Sequence, residues 1–181
     1  SCGAVEDALR DIVGVQFRNG ATLGGSLWRR MGFSDVVAIF LAMDSSVELF
    51  KGGVVPLEEF VRMPYDNDIL VRLIVKKRPG AFAYQAVRKQ RTDLPTLNCA
   101  AAKVGEEYRV VVGSRPARAM LLRDERGILA GGITEESAAA FADYAAGAVP
   151  VSGNMWGSAE YRRSLVPVLV RRTLLALGEV R

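Results

Sequence analysis

Gln16-Phe17-Arg18-Asn19-Gly20-Ala21-Thr22-Leu23-Gly24-Gly25-Ser26-Leu27 is the stretch from which the rest of this 181-residue chain is read. An apolar residue leads into Arg-Asn, then a small-residue turn, then paired glycines and a hydroxyl. Paired glycines let a backbone pass where a Cβ would collide with a ligand, and they permit positive φ. Thr22 and Ser26 bracket the pair with hydroxyls, and Arg18 and Asn19 add further polar groups. This is the composition of a loop that holds a large polar cofactor against exposed N–H groups. A Gly-Gly pair is also the composition of an ordinary tight turn.

Upstream, Val5, Ala8, Leu9 and Ile12 follow helical spacing, which predicts a short helix over Ala4–Val13 ended by Gly14. Downstream, Ser34 is a good N-cap for a helix from Asp35 to Met43, with Asp35 in the first turn where the dipole favours an anion. Ser46–Phe50 and Gly53–Leu57 read as strands joined through Lys51-Gly52-Gly53, and Ile69–Val75 as a further β-rich run. Lys76-Lys77-Arg78-Pro79-Gly80 breaks the pattern, so a domain boundary is expected between residues 1–79 and 80–181.

The second part opens with Ala83–Arg88. Three strands follow, Leu97–Val104, Tyr108–Gly113 and Ala117–Leu122, and their short connections predict an antiparallel meander turned by Gly105-Glu106-Glu107. Thr134 caps a helix with Ala138, Phe141, Ala142 and Ala145 on its inner face. Ser158 caps a longer one to about Leu177, with Leu165, Leu169 and Leu174 in the core. Pro167 is expected to kink or interrupt it. The fold class is α+β, with a small three-stranded antiparallel sheet packed by helices in the second part.

Composition removes several chemistries. The chain has no histidine, so it can build no Ser-His-Asp triad and no His-containing zinc or haem site. The two cysteines, Cys2 and Cys99, make neither a disulfide framework nor a metal spacing, and Cys99 lies in an apolar run that reads as buried. Half of the residues are hydrophobic. No run approaches the ~20 apolar residues of a membrane helix, and no signal peptide is evident. No membrane association and a cytoplasmic location are the expectations. The net charge of +4 is uneven: residues 1–79 carry ten basic and ten acidic residues, residues 80–181 fourteen and ten. The basic residues fall in scattered pairs with few aromatics, a pattern of a solvated or subunit-facing surface and not of a nucleic-acid site.

Phe17–Ser26 resembles the second flavin loop of the FAD-binding subunits of molybdenum hydroxylases, the xanthine dehydrogenase and carbon monoxide dehydrogenase group, which reads roughly I-R-N-x-A-T-I-G-G-N. Ser34-Asp35 falls nine residues after the last loop position, where the family has Ser-Asp or Gly-Asp. Ala42-Met43-Asp44 resembles its A-L-D strand entry, and Val55-Pro56-Leu57-Glu58-Glu59-Phe60 its V-P-L-x-x-F. Asp68-Ile69-Leu70, Arg91-Thr92-Asp93-Leu94-Pro95 and Gly157-Ser158-Ala159-Glu160-Tyr161-Arg162 continue the series over nearly the whole chain. The family's first flavin loop, A-G-G-T-D, has no counterpart in residues 1–15, so the chain looks like the family protein without its N-terminal lobe.

The resemblance implies the second lobe of a two-lobed FAD-binding domain followed by the family's C-terminal domain. It implies flavin contacts from Thr22, Leu23, Gly24, Gly25 and Ser26, with serine where most relatives carry asparagine. Asp35 would contact the flavin ribityl region or serve as a helix start. Leu70 would pack on the isoalloxazine ring or be an ordinary strand-core leucine. Gln85 stands where some relatives place a lysine near the flavin, with Arg88 and Arg91 as nearby alternatives or plain surface arginines, and Asp93 fixing the adjoining turn. The implied function is an FAD-dependent oxidoreductase subunit that passes electrons between iron–sulfur clusters on one partner subunit and NAD or another acceptor, while a second partner carries the molybdenum cofactor. With half of the cradle outside it, this chain alone is expected to bind FAD weakly or not at all and to be inactive. The alternative is a non-catalytic module that docks the partner subunits.

Overall fold

Eight residues, Asp35–Ala42, form a helix buried on every side, and both sheets of the protein are arranged around it. The sequence Asp-Val-Val-Ala-Ile-Phe-Leu-Ala leaves no polar face, which only a helix enclosed by other elements tolerates. The computed structural model describes residues 2–180, and of Cys2 the backbone alone. The expectation that Cys2 forms no disulfide therefore lies outside the described residues.

Helices α1 (Cys2–Arg10), α2 (Val15–Gly20) and α3 (Leu23–Trp28) precede the buried helix, α4 (Asp35–Ala42). Strands β1 (Ser46–Leu49) and β2 (Gly53–Pro56) form a hairpin, followed by a single turn of helix, α5 (Leu57–Phe60), and β3 (Leu70–Ile74). These strands make an antiparallel sheet in the order β2-β1-β3. Gly53 takes φ +67° at the hairpin, a conformation that needs glycine there.

Strands β4 (Gly80–Val87), β5 (Leu97–Val104), β6 (Glu107–Gly113) and β7 (Met120–Arg123) form a second antiparallel sheet in sequence order. The meander is as expected, but it has four strands where three were predicted. The added edge strand, Gly-Ala-Phe-Ala-Tyr-Gln-Ala-Val, is poor in β-branched residues, and its pairing with β5 outweighs that weak local preference. Ala117–Ala119 lie in the loop before β7, a shift of three residues from the predicted strand start.

Helices α6 (Glu135–Ala148) and α7 (Ala159–Glu179) cover one face of the second sheet. The other face packs on α4. Alternate residues of β5 therefore enter different cores: Ala100, Ala102 and Val104 meet α4, while Cys99 and Ala101 meet α6 and α7. A strand covered on both faces reads as a continuous apolar run, which Leu97–Ala102 nearly is. Burial pushes the Cys99 thiol up to about 12.

The caps are local and match the sequence. Ser34, Thr134 and Ser158 accept hydrogen bonds from the N–H groups of Val37, Ser137 and Tyr161. Ala138, Phe141, Ala142 and Ala145 are the buried face of α6. One helix boundary and one helix interior differ from the expectation. α1 stops at Arg10, and Val13, not Gly14, takes the left-handed conformation at φ +47°. Helix α7 runs unbroken through Pro167, because burial of Val166, Leu169 and Val170 holds the turn that proline weakens. Leu169 and Leu174 are buried as expected, and Leu165 only half so.

Candidate functional site

The Gly-Gly segment is helical. Thr22 is the N-cap of α3, its Oγ1 accepting from the Gly25 N–H at 3.0 Å, and Ser26 Oγ donates to the Thr22 carbonyl at 3.2 Å. Neither glycine has positive φ, so the loop expected at Thr22–Ser26 is instead the first turn of a short helix. The reason is the threonine, which supplies the N-cap bond that starts a helix.

A helix presents residues at spacings of three and four on one side, and α3 separates two hollows by this rule. Thr22, Gly25 and Ser26 face one of about 340 Å³, whose walls are Phe17, Met31, Phe33 and Leu94 with Asp35 at the edge. Leu23, Gly24 and Leu27 face another of about 470 Å³, walled by Phe40, Leu70 and Leu73. A Cβ at Gly24 would meet no atom within 4 Å and would stand in open space, whereas one at Gly25 would press on Thr22 Oγ1 at 3.1 Å. Gln85 lines a third recess, a polar one of about 440 Å³, with Asp7, Arg10, Asp11, Arg88 and Arg91. The eight residues singled out from the sequence thus divide among three adjoining hollows.

The wall between the first hollow and the third is a buried polar cluster. Asp35 is only 5% exposed. Its Oδ1 accepts from the Tyr84 hydroxyl and from Asn98 Nδ2 at 3.2 Å, and its Oδ2 pairs with Arg88 Nη2 at 2.9 Å. Arg88 is held in turn by Nη1 donating to the Asp93 carbonyl at 2.7 Å. Burial, then the Asp35 charge, pushes the Tyr84 phenol well above its ordinary range, so it stays a donor. Arg88 is therefore a buried ion-pair partner and not a surface arginine. Arg91 is an exposed one, paired to Asp11 at 2.9 Å. Asp93 does fix its turn, accepting from the Gln90 N–H.

Further arginines of the second part reach across to the first. Arg109, 2% exposed, donates from Nε to the Ala42 carbonyl and from Nη2 to that of Leu41, both at 3.2 Å, and so caps the C-terminus of α4. Arg118 Nη1 donates to the carbonyls of Val61 and Met63 at 2.7 and 3.0 Å. Arg123 Nη1 bonds Glu58 Oε1 at 3.0 Å and holds that carboxyl below the usual carboxylate range. Sequence reasoning assigned this basic excess to an outer surface. No local signal marks these partners, which lie 53 or more residues away along the chain. Among the described residues, no group of three or more acidic or cysteine side chains is placed to hold a metal ion, and no helix is long and apolar enough to cross a membrane.

Two family profiles match the chain: residues 1–77 match one described as the FAD binding domain in molybdopterin dehydrogenase, and residues 82–177 one described as the CO dehydrogenase flavoprotein C-terminal domain. The nicotine 6-hydroxylase medium subunit of Paenarthrobacter nicotinovorans is 27% identical over 183 residues, covering 93% of this chain and 65% of that protein. An uncharacterised protein of Escherichia coli (strain K12) is 24% identical, covering 92% of this chain and 62% of its own length. The chain thus spans somewhat under two thirds of these relatives. Among solved structures, a carbon monoxide dehydrogenase chain from Hydrogenophaga pseudoflava aligns with a TM-score of 0.80 at 22% identity, covering 97% of this chain and 68% of that one. One from the reconstituted enzyme of Oligotropha carboxidovorans aligns at 0.84 and 17% identity, over 99% and 68%. At these identities the structural likeness establishes the shared fold.

Proposed function

As the chain belongs to the FAD-binding medium-subunit family of the molybdenum hydroxylases, we propose that it works as that family's electron-transfer part, relaying electrons between iron–sulfur clusters of one partner subunit and NAD or another acceptor. A second partner subunit carries the molybdenum cofactor and the substrate chemistry, as in a xanthine dehydrogenase-like oxidoreductase. Residues 1–79 are the flavin-holding unit in this reading, and residues 80–181 the unit that braces it.

The observation that carries the proposal is the hollow beside Gly24. A flavin ring is flat and largely apolar, and Leu23 and Leu70 offer it apolar contact where Gly24 withholds a Cβ. These residues fit FAD, which supplies a redox centre able to exchange electrons singly or in pairs. Leu70 would pack on the ring and Leu23 would shield it from water. The Thr22 and Ser26 hydroxyls supply polar groups to the cofactor's hydrophilic portion, and Gly25 leaves room beside them. Asp35 acts from the neighbouring wall by fixing Tyr84 and Arg88. Gln85 lines the third recess, beyond the Asp35 cluster, and is given no contact with the ring.

The test is absorbance and FAD titration on the protein as its gene encodes it, with Gly24→Val beside the wild type. A yellow protein is expected, with Gly24→Val weakening FAD by at least about tenfold, or about 1.4 kcal/mol. Unchanged affinity in Gly24→Val would remove this hollow from the flavin site. A colourless protein that still assembles with its partner subunits would instead establish the docking-module alternative.

A further inference from the structure

A fourth hollow, of about 280 Å³, lies between the Met31–Phe33 loop and the segment from Ser114 to Ala117. It takes in Arg162, the last residue of the Gly157–Arg162 motif, to which the flavin reading gives no task. Arg162 is 1% exposed, and burial lowers its pKa. Its guanidinium donates to four neutral acceptors: Thr96 O and Ser152 O at 2.9 Å, Gly157 O, and Asn154 Oδ1 at 2.6 Å. A guanidinium has five N–H groups, so one on Nη2 remains. Among the described residues Arg162 has no carboxylate partner, and the residues lining the hollow include no acid. A buried cation without a counter-charge is costly.

A second buried group at the same hollow is also short of a partner. Ser114 is 4% exposed, takes φ +60° and has an Oγ with no hydrogen-bond partner among the described residues. Non-glycine residues hold such a backbone only where the surroundings enforce it, and they cluster at functional sites. Here the Ser114 N–H donates to the Gly32 carbonyl at 2.6 Å. The remaining walls are largely apolar, with Phe33, Leu94, Pro116 and Trp156, and Asn154 is the other polar residue there.

We infer that this hollow binds a small organic carboxylate, its anionic end taken by Arg162 and Ser114 and its hydrocarbon part by the apolar walls. The carboxylate supplies the missing counter-charge and accepts the spare Nη2–H, and its second oxygen accepts from the Ser114 hydroxyl once that fully buried side chain rotates toward the cavity. Charge-assisted bonds of this kind are about twice as strong as neutral ones. The volume of about 280 Å³ lies just below the usual range of ligand pockets, about 300 to 1,000 Å³, and it suits a molecule the size of benzoate. This site shares Met31, Phe33 and Leu94 with the first hollow and no residue with the hollow beside Gly24.

Benzoate and its neutral counterpart benzyl alcohol are titrated against the full chain by tryptophan fluorescence. Trp156→Phe assigns the signal, since Trp28 is the other tryptophan. Benzoate is expected to saturate, at an affinity at least about tenfold above that of benzyl alcohol. Arg162→Lys keeps the charge but loses the fork, and should weaken benzoate by a similar factor. Because Arg162 also holds the 152–157 loop, Ala117→Leu provides the independent variant. Ala117 is exposed at the mouth, and the larger side chain should block binding while leaving the fold intact. No saturable benzoate response, equal binding of the alcohol, or full binding by a folded Ala117→Leu protein would each overturn the assignment. None of these results bears on the flavin reading, because no flavin is needed.

Discussion

Replacing Asp35 by asparagine keeps the shape of the side chain and removes its charge from the buried cluster with Tyr84, Arg88 and Asn98. Asparagine retains one carbonyl oxygen, enough to accept from Tyr84 or Asn98. It does not retain the 2.9 Å ion pair with Arg88, whose side chain is only 9% exposed. Arg88 then keeps the Asp93 carbonyl as a neutral acceptor and loses its buried counter-charge. Breaking such a pair from one side costs about 3–5 kcal/mol, and the surviving acceptor puts this case near the lower end. For a chain of this length each kcal/mol moves Tm by about 2–4 °C, so Asp35→Asn should melt about 6–12 °C lower. The assay is equilibrium unfolding in urea with a parallel thermal melt, repeated for Arg88→Met and for the double variant. If the pair is the cause, the double variant should lose clearly less than the sum of the two singles. A loss under about 0.5 kcal/mol for Asp35→Asn, or additive losses in the cycle, would refute the reasoning.

Gly32→Ala would put a Cβ 1.7 Å from the Ala117 carbonyl oxygen, and neither a Cβ fixed to its backbone nor a backbone carbonyl can swing aside. The junction of the two parts must open to admit it, so the variant should lose more than about 3 kcal/mol in a urea titration; an unaltered midpoint would show that the Met31–Phe33 loop yields freely. Glu58 has its folded pKa lowered from 4.5, first by its hydrogen bond from Arg123. Its contribution to stability is therefore fully present above about pH 4.5 and is lost as the pH falls below that towards the folded value. Glu58→Gln should be less stable than wild type at neutral pH and should converge with it in acid; parallel pH profiles would show that the pair with Arg123 adds nothing.

The sequence by itself determined what short windows of chain encode. The N-caps at Ser34, Thr134 and Ser158, the glycine hairpin at Gly53, the inner face of α6 and the β5–β7 meander all rest on residues a few positions apart. Hydrogen bonds and periodicities at that range are fixed locally, so they are legible without the fold. The ordered motif series was legible as well, because it depends on residue identity alone. Only the tertiary structure decided which side of α3 each site residue faces, and so placed Thr22 and Leu70 on different hollows. It alone turned the basic excess of residues 80–181 inward, where Arg88, Arg109, Arg118 and Arg123 grip α4, α5 and the Val61–Met63 turn. It alone left Arg162 and Ser114 short of partners beside one cavity. An arginine looks the same in sequence whether water or a carbonyl across the fold accepts its hydrogen bonds, and long-range packing makes that choice.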